Sequence, residues 1–197
     1  MVVSDKLKYV FIAVPKTGSQ AVCHWLCSNY YGKHALNYHD AEIPAAYTDY
    51  LVWTVVREPY ARCFSWWWMG CREPSRREKN ADTWGQSFKE FMVRNIERKN
   101  DWRWRDNPEK PNYSMTQKSF VDRSGAQTVV HYEQWRDELA GLPFIKKLVW
   151  PIPSRNTSTK PKRSFHEYFF DDPEAEGLVW EYCAEDFEAF GYERIRA

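Results

Sequence analysis

This chain of 197 residues has little net charge, no paired cysteine motif and no apolar segment ahead of its first predicted strand. Its 28 Lys and Arg residues nearly balance its 27 Asp and Glu residues, which gives a formal net charge of +1. There is thus no global electrostatic case for nucleic acid, and any anion site must be local. The N-terminus enters the first predicted strand almost at once, with no apolar signal or membrane anchor before it. We therefore expect a cytoplasmic protein that binds neither nucleic acid nor a membrane.

The cysteines do not predict a metal site. Their number is odd and no C-x-x-C pair occurs. Cys23 and Cys27 are one helical turn apart, but no matching pair of ligands follows them. Free buried thiols in a reducing compartment are the better interpretation of the five cysteines, which are Cys23, Cys27, Cys63, Cys71 and Cys183.

The first informative stretch lies near the N-terminus. An apolar run over 7–14 predicts a strand that stops at Pro15, and the polar tetrapeptide Lys16-Thr17-Gly18-Ser19 follows it. Apolar residues at helical spacing then predict a helix over 18–30. The first backbone amides of a helix have no partner within it, and the helix dipole places partial positive charge there. Gly18 lets a ligand approach the backbone and Lys16 adds a full charge, so this loop predicts a site for a phosphate-like anion.

A second stretch repeats the arrangement of strand, loop and helix. Residues 50–56 predict a buried strand, and Pro59 suits the first turn of a helix over 59–70. Arg57 would then lie at the carboxyl end of the strand, which is the edge where open α/β sheets bind ligands. Ser65 follows two helical turns later. An arginine fork and a hydroxyl suit a terminal phosphate.

Both stretches resemble a known family. The first is not a Walker A loop, because its lysine precedes its only glycine. The sequence Pro15-Lys16-Thr17-Gly18-Ser19 resembles the 5′-phosphosulfate loop of sulfotransferases that use 3′-phosphoadenosine 5′-phosphosulfate (PAPS). The pattern R-x-P-x-x-R-x-x-S from Arg57 to Ser65 resembles their 3′-phosphate site. The tail also resembles the small members of that family, through Asn156-Thr157-Ser158 and the residues from Asp186 to Tyr192.

The resemblance implies a fold and a reaction. The expected fold is an α/β, P-loop-NTPase-like, three-layer fold in which helices flank a central, mainly parallel sheet. The expected reaction moves a sulfuryl group from PAPS to a hydroxyl or amine acceptor by in-line displacement, and adenosine 3′,5′-bisphosphate leaves. No metal is required, because fixed cations and amides can stabilise the leaving group.

The resemblance also implies site residues. Lys16 would stabilise the bridging oxygen, and backbone amides from Thr17 to Ala21 would hold the 5′-phosphate with help from the hydroxyls of Thr17 and Ser19. Gln20 departs from the commoner Thr or Ser at its position. The predicted cofactor-binding residues are therefore Lys16, Thr17, Gly18, Ser19, Gln20, Ala21, Arg57 and Ser65.

The general base is a choice between several side chains. His39 is the first candidate, because it lies in the irregular stretch 31–49, where related carbohydrate sulfotransferases place a histidine. His34 is the second candidate, and Asp40 or Glu42 could serve instead. Lys16 and His39 are thus the predicted catalytic residues. A polar basic loop with Arg155, Ser158 and Lys160 could fold over the nucleotide or simply be solvated.

The acceptor is not encoded in a motif. One domain over 1–197 is the simplest organisation, and its region 66–115 matches nothing in the family, so this region would carry specificity for a small-molecule or carbohydrate acceptor. Two alternatives stay open, namely a nucleotide-dependent kinase of related fold and a nucleotide-binding protein without turnover. Against the kinase stand the missing Walker A order and the lack of a persuasive Mg²⁺ carboxylate after a strand.

The remaining predicted elements complete the chain. Arg62 is expected to pack or pair at the surface, and Gly191 is expected to end the last helix. Strands are predicted over 127–132 and 147–151, and Pro151 suits an edge position for the second of them. Helices are predicted over 83–100, 133–142 and 173–190, a short helix or turn over 116–124, and loops or turns over 71–82, 101–115 and 168–172.

Overall fold

The computed structural model describes residues 1–35, 39–100, 115–153, 159 and 163–195, with backbone alone for 98–100. The strands are β1 (Val2–Ser4), β2 (Tyr9–Ile12), β3 (Lys33–His34), β4 (Leu51–Val56) and β5 (Thr128–His131). The α-helices are α1 (Ser19–Asn29), α2 (Pro59–Cys71), α3 (Phe88–Asn100), α4 (Gln117–Ser124), α5 (Trp135–Ala140), α6 (Phe165–Asp171), α7 (Pro173–Tyr182) and α8 (Ala184–Phe190). The protein is therefore a mixed α/β protein.

Two units share these elements, and each has its own core. The sheet unit comprises Met1–Arg57 and Gln117–Asn156 and holds all five of the strands just given. The helical unit comprises Glu58–Thr116 and Thr157–Ala197. The single domain expected from the sequence stays a prediction.

The sheet is open, and its strand order is β3-β1-β2-β4-β5. The strands β2, β4 and β5 are parallel neighbours, with Tyr9 opposite Leu51 and Val56 opposite His131. The strand β1 is antiparallel to both β2 and β3, so four of the five described strands run in one direction. Because the carboxyl ends of parallel strands meet at the same edge, the segments after β2, β4 and β5 lie together there.

Burial explains why these segments form strands. Every residue of β2 is buried, as is every residue of β4 after Leu51. Strands covered on both faces have nearly continuous apolar sequences, as these two do. Helix α1 packs its Val22, Trp25 and Leu26 face into the same core, as its helical spacing predicts. The strands predicted over 50–56 and 127–132 and the centre of the strand over 7–14 are thus confirmed.

The strand predicted over 147–151 is wrong. Its backbone pairs with side chains instead of a neighbouring strand. The Tyr30 hydroxyl donates to the Lys147 carbonyl at 2.8 Å and accepts from the Val149 amide at 2.9 Å. The Trp25 indole donates to the Val149 carbonyl at 2.7 Å. Because these side chains satisfy the backbone groups, the segment needs no ladder.

The helical unit has an aromatic core. Trp66 and Trp67 of α2 are buried and Trp68 is half-buried, in line with three consecutive helical residues that point in different directions.

The helical unit also buries charged side chains. Arg62 was expected at the surface, and that expectation is wrong. This residue is buried, and its guanidinium Nη2 donates to the Met115 carbonyl at 2.8 Å. Buried Glu176 accepts hydrogen bonds from Arg194 at 2.8 and 2.9 Å.

Helix boundaries in this unit differ from the predicted ones. The helix predicted over 173–190 is divided at Cys183 into α7 and α8, although Gly191 ends it with a φ of 67°, as expected. The turn predicted over 168–172 is wrong, because α6 covers that region to Asp171. A reciprocal capping box between Ser164 and Glu167 starts α6. No helix of the described residues is long and apolar enough to span a bilayer.

Candidate anion-binding site

The turn between β2 and α1 has an unusual backbone. Residues 15–18 form a turn, and α1 begins at Ser19. Lys16 has a φ of 70° and Gly18 a φ of 77°, whereas Thr17 between them is not in the positive region. Alternation of this kind can turn successive backbone N–H groups towards one concave side, which suits an anion. Glycine adopts a positive φ readily, but Lys16 does so at a cost of about 1–2 kcal/mol.

The amino end of α1 carries no negative group of its own. Gly18 is its N-cap, no side chain of the described residues caps it, and its first turn has no acidic residue. The Gly18 carbonyl accepts from the Ala21 amide at 3.0 Å, which tightens the first turn. The partial positive charge of the helix dipole therefore lacks an internal counter-charge at this end.

The side chains of the predicted loop have different environments. Thr17 is fully buried, and its hydroxyl donates to the Val14 carbonyl at 3.0 Å, so a hydrogen bond from this hydroxyl to a phosphate would have to replace an existing one. Ser19 and Ala21 are also buried, while Gln20 is exposed. The backbone of the turn is accordingly better suited to bind an anion than the Thr17 hydroxyl.

Arg57 reaches this turn from the next parallel strand. Its guanidinium Nη1 donates to the Lys16 carbonyl at 3.2 Å. The guanidinium carbon lies 4.8 Å from the centre of the Tyr132 ring, in a cation–π contact. Among the residues that the structure describes, no carboxylate pairs with Arg57, and the bond to Lys16 is the guanidinium's one hydrogen bond. The two motifs identified in the sequence therefore meet at one edge of the sheet.

Side-chain and backbone contacts hold Arg57 in this position. The Gln117 side-chain oxygen accepts from the Arg57 amide at 2.8 Å, and the Gln117 side-chain nitrogen donates to the Arg57 carbonyl at 2.8 Å. Gln117 is fully buried as the first residue of α4. One side chain thus makes both backbone hydrogen bonds for the residue that follows β4.

Aromatic rings close one side of the turn. A Cβ atom built on Gly18 would lie 2.8 Å from Tyr132 Cε2 and 3.3 Å from Trp135 Cζ3. The Tyr132 and Trp135 rings are themselves 4.5 Å apart between centroids. Gly18 is therefore needed both for its φ and for the close approach of these rings.

His39 lies beside the strand that leads into the turn. Its Nδ1 is 2.5 Å from the carbonyl oxygen of Ala13, and the residue is buried. A carbonyl oxygen only accepts, so Nδ1 carries a proton in this contact, and in a neutral imidazole Nε2 would then have the lone pair. This tautomer is the one required of a general base that acts through Nε2.

The other base candidates are placed differently. His34 belongs to the exposed strand β3, which β1 separates from β2. The Asp40 carboxylate accepts from the Glu42 amide at 3.3 Å. Among the histidine candidates His39 is thus the one that contacts the segment leading into the Lys16 turn.

Some predicted residues belong to the helical unit or lie outside the described residues. Ser65 is half-buried on α2 in the helical unit, and its role with Arg57 stays a prediction. Arg155, Ser158 and Lys160 of the late loop lie outside the described residues, as do Asn156 and most of the stretch 101–115. Thr159 is described, and its amide donates to Glu73 at 2.7 Å within the helical unit.

The sequence reasoning missed Gln117 and Tyr132. Tyr132 follows the third parallel strand directly, so the rule that placed Arg57 at the carboxyl edge could also have found it. Gln117 has no such signal, because its contact with Arg57 joins residues 60 positions apart.

Comparison with protein-family models, with curated proteins and with solved structures finds no match to this chain. The described residues contain no group of three or more His, Cys, Asp or Glu side chains placed to hold a metal ion. A function for the site therefore has to be argued from its own geometry.

Proposed function

We propose that the protein is a PAPS-dependent sulfotransferase that transfers a sulfuryl group to a hydroxyl or amine acceptor, with a carbohydrate as one candidate. The observation that carries the proposal is the position of Arg57. Its guanidinium lies against the Lys16 turn with no carboxylate partner among the described residues. A cation beside the positive end of a helix is electrostatically unfavourable, and a bound anion removes that cost.

Two groups of donors, the Lys16 turn and the Arg57 guanidinium, suit a ligand with more than one phosphate-like group. The turn from Lys16 to Gly18 presents amides and an ammonium group to one anion, which we assign to the 5′-phosphosulfate. Arg57 has further N–H donors for a second anion, which we assign to the 3′-phosphate.

We also propose the finer P-loop-NTPase-like, three-layer fold, because a parallel strand, an anion-binding turn and a helix follow one another in that order.

The bound donor would supply an activated sulfuryl group on a phosphate leaving group. His39 Nε2 accepts the acceptor's proton as the new bond from oxygen or nitrogen to sulfur forms. Lys16 and the amides from Thr17 to Gln20 stabilise the negative charge on the phosphate oxygen as its bond to sulfur breaks. The Ala21 amide takes no part, because it already donates to the Gly18 carbonyl. The products are the sulfated acceptor and adenosine 3′,5′-bisphosphate, and the proton stays on His39 until solvent removes it.

A cytoplasmic site of action is part of this proposal. The five cysteines are free thiols, including Cys63 and Cys183, whose sulfur atoms share a hydrogen bond at 3.7 Å and form no disulfide. Cysteine pairs of this kind, without a disulfide, are typical of a reducing compartment.

The proposal is tested by turnover with ³⁵S-labelled PAPS and a panel of carbohydrate, phenol, lipid and peptide acceptors. We expect label in at least one acceptor, with stoichiometric adenosine 3′,5′-bisphosphate, in the absence of Mg²⁺. The matched reaction uses γ-³²P-labelled ATP with Mg²⁺, and transfer of phosphate there instead of sulfate would assign the site to a kinase. Tight nucleotide binding without any transfer would contradict the proposal that the protein is an enzyme.

A further inference from the structure

We infer that Gln117 is a positioning residue that fixes Arg57 for the second phosphate of the nucleotide. The inference rests on the proposed function. Gln117 donates to and accepts from the backbone of the same residue, at 2.8 Å in both directions. It therefore acts on the orientation of Arg57 and not on the ligand.

The geometry of a primary amide explains this effect. The N–H and C=O groups of one residue point to the same side only when its backbone is extended. A glutamine side chain offers one acceptor and one donor side by side, as a neighbouring strand would. Gln117 thus keeps Arg57 extended for one residue beyond β4, which ends at Val56. Because the backbone is fixed, the direction of the Arg57 Cα–Cβ bond is fixed as well.

Three contacts together then determine the guanidinium position. Gln117 holds the backbone, the guanidinium carbon lies over the Tyr132 ring, and Nη1 donates to the Lys16 carbonyl. A long side chain loses much rotational freedom when it binds an anion, and prior ordering removes part of that cost. Buried Gln117 is the contact that holds the Arg57 backbone. Its loss would leave the direction of the Arg57 Cα–Cβ bond less restricted.

The expected consequence is selective. Loss of Gln117 should weaken binding of the 3′-phosphate, which we assign to Arg57. It should leave binding of the 5′-phosphate at the Lys16 turn unchanged. The ratio of the affinities for adenosine 3′,5′-bisphosphate and for AMP measures that second phosphate alone. A general loss of fold would lower both affinities and would not change their ratio.

The chain provides a matched control at the opposite end of β4. Gln127 accepts from the Val52 amide through its side chain at 2.9 Å, and its own amide donates to the Val52 carbonyl at 2.9 Å. Gln127 therefore also supports the backbone of β4, but at the edge away from Arg57.

The experiment measures both dissociation constants by calorimetry for the wild type, Gln117→Met and Gln127→Met. We expect Gln117→Met to weaken bisphosphate binding about tenfold and AMP binding less than twofold, whereas Gln127→Met changes neither. In an Arg57→Ala background, Gln117→Met should add nothing. If Gln117→Met does not unfold cooperatively, Gln117→Asn, whose shorter amide cannot make both bonds, should give the same selective loss.

Two different failures can be told apart. Equal weakening of both ligands by Gln117→Met, no weakening, or a further loss in the Arg57→Ala background would overturn the role of Gln117 while the proposed function stands. A wild type that binds the bisphosphate no more tightly than AMP would overturn the proposed function and this inference with it.

Discussion

The guanidinium of Arg57 donates a hydrogen bond to the backbone carbonyl of Lys16, at 3.2 Å and across 41 positions of sequence. The parallel pairing of β2 and β4 is the cause, because it brings the segments that follow the two strands to the same edge. Lys16 and Arg57, which come from two separately identified sequence motifs, are thus in direct contact.

Gly18→Ala should destabilise the protein more than Gly125→Ala. Both glycines have a positive φ, of 77° and 61°, but a Cβ at Gly125 meets nothing within 4 Å, whereas one at Gly18 meets Tyr132 at 2.8 Å. Overpacking costs about 1–3 kcal/mol, which is the expected difference in the free energy of unfolding measured with urea. In a Tyr132→Leu background the difference should shrink, and an unchanged difference would show that the ring is not its cause.

Lys16→Gly should separate stability from function. Glycine relieves the positive φ of 70° but adds freedom to the unfolded chain, so the free energy of unfolding should stay within about 1 kcal/mol of wild type. Transfer from PAPS should fall by about a hundredfold, because a charge that stabilises the leaving group is removed. Lys8→Gly is the control, since Lys8 also has a positive φ, of 55°, in a different turn. Full transfer activity in Lys16→Gly would remove this lysine from the chemistry.

His39→Ala should preserve bisphosphate affinity and lower the rate of transfer by about a hundredfold, the range for loss of a general base. His34→Ala is its control and should keep the wild-type rate. The measurements are single-turnover rates with labelled donor and calorimetric affinities. A wild-type rate in His39→Ala would transfer the role of base to His34 or to a nearby carboxylate.

Buried tyrosines should make the protein unstable in alkali. Burial raises the pKa of Tyr9 and of Tyr182 above the ordinary value of 10.0. Below pH 10 these tyrosines are neutral in both the folded and the unfolded chain. As the pH rises above 10, the tyrosines of the unfolded chain ionise first because their pKa is lower. Ionisation stabilises the unfolded chain, so the protein loses stability in alkali.

Each buried tyrosine of this kind should lower the free energy of unfolding by about 1.4 kcal/mol between pH 9 and pH 11. Urea unfolding over this range should show the loss, and Tyr9→Phe should reduce it by about that amount. Tyr31→Phe is the control, since Tyr31 is 57% exposed and Lys6 lowers its pKa. An equal alkaline loss in Tyr9→Phe and wild type would contradict the assignment.

Much of the sheet was predictable because its central strands are buried on both faces. The apolar runs of β2 and β4 indicate this directly. The strands β1 and β3 have three and two residues, too few for a periodic pattern, and neither was predicted. The segment 147–151 has the sequence of a strand, but distant Tyr30 and Trp25 side chains satisfy its backbone. Such long-range contacts cannot be inferred from local pattern.

In the candidate site, too, some features could be predicted from local sequence and others depend on distant parts of the chain. Lys16, Gly18 and Arg57 follow strands of apolar sequence, so the edge rule for parallel sheets places them together. The positive φ of Lys16 could not be predicted, because lysine has no preference for that conformation. The pairing of Gln117 with the Arg57 backbone also depends on a helix 60 positions later in the chain.

The most direct test of the central claim is a calorimetric comparison of adenosine 3′,5′-bisphosphate and AMP across Arg57→Ala, Lys16→Met and the exposed control Arg136→Ala. If Arg57 and the Lys16 turn bind opposite ends of one nucleotide, Arg57→Ala weakens only the bisphosphate, by about tenfold or more. Lys16→Met then weakens both ligands, and Arg136→Ala weakens neither. Equal affinity of wild type and Arg57→Ala for the bisphosphate would contradict the account.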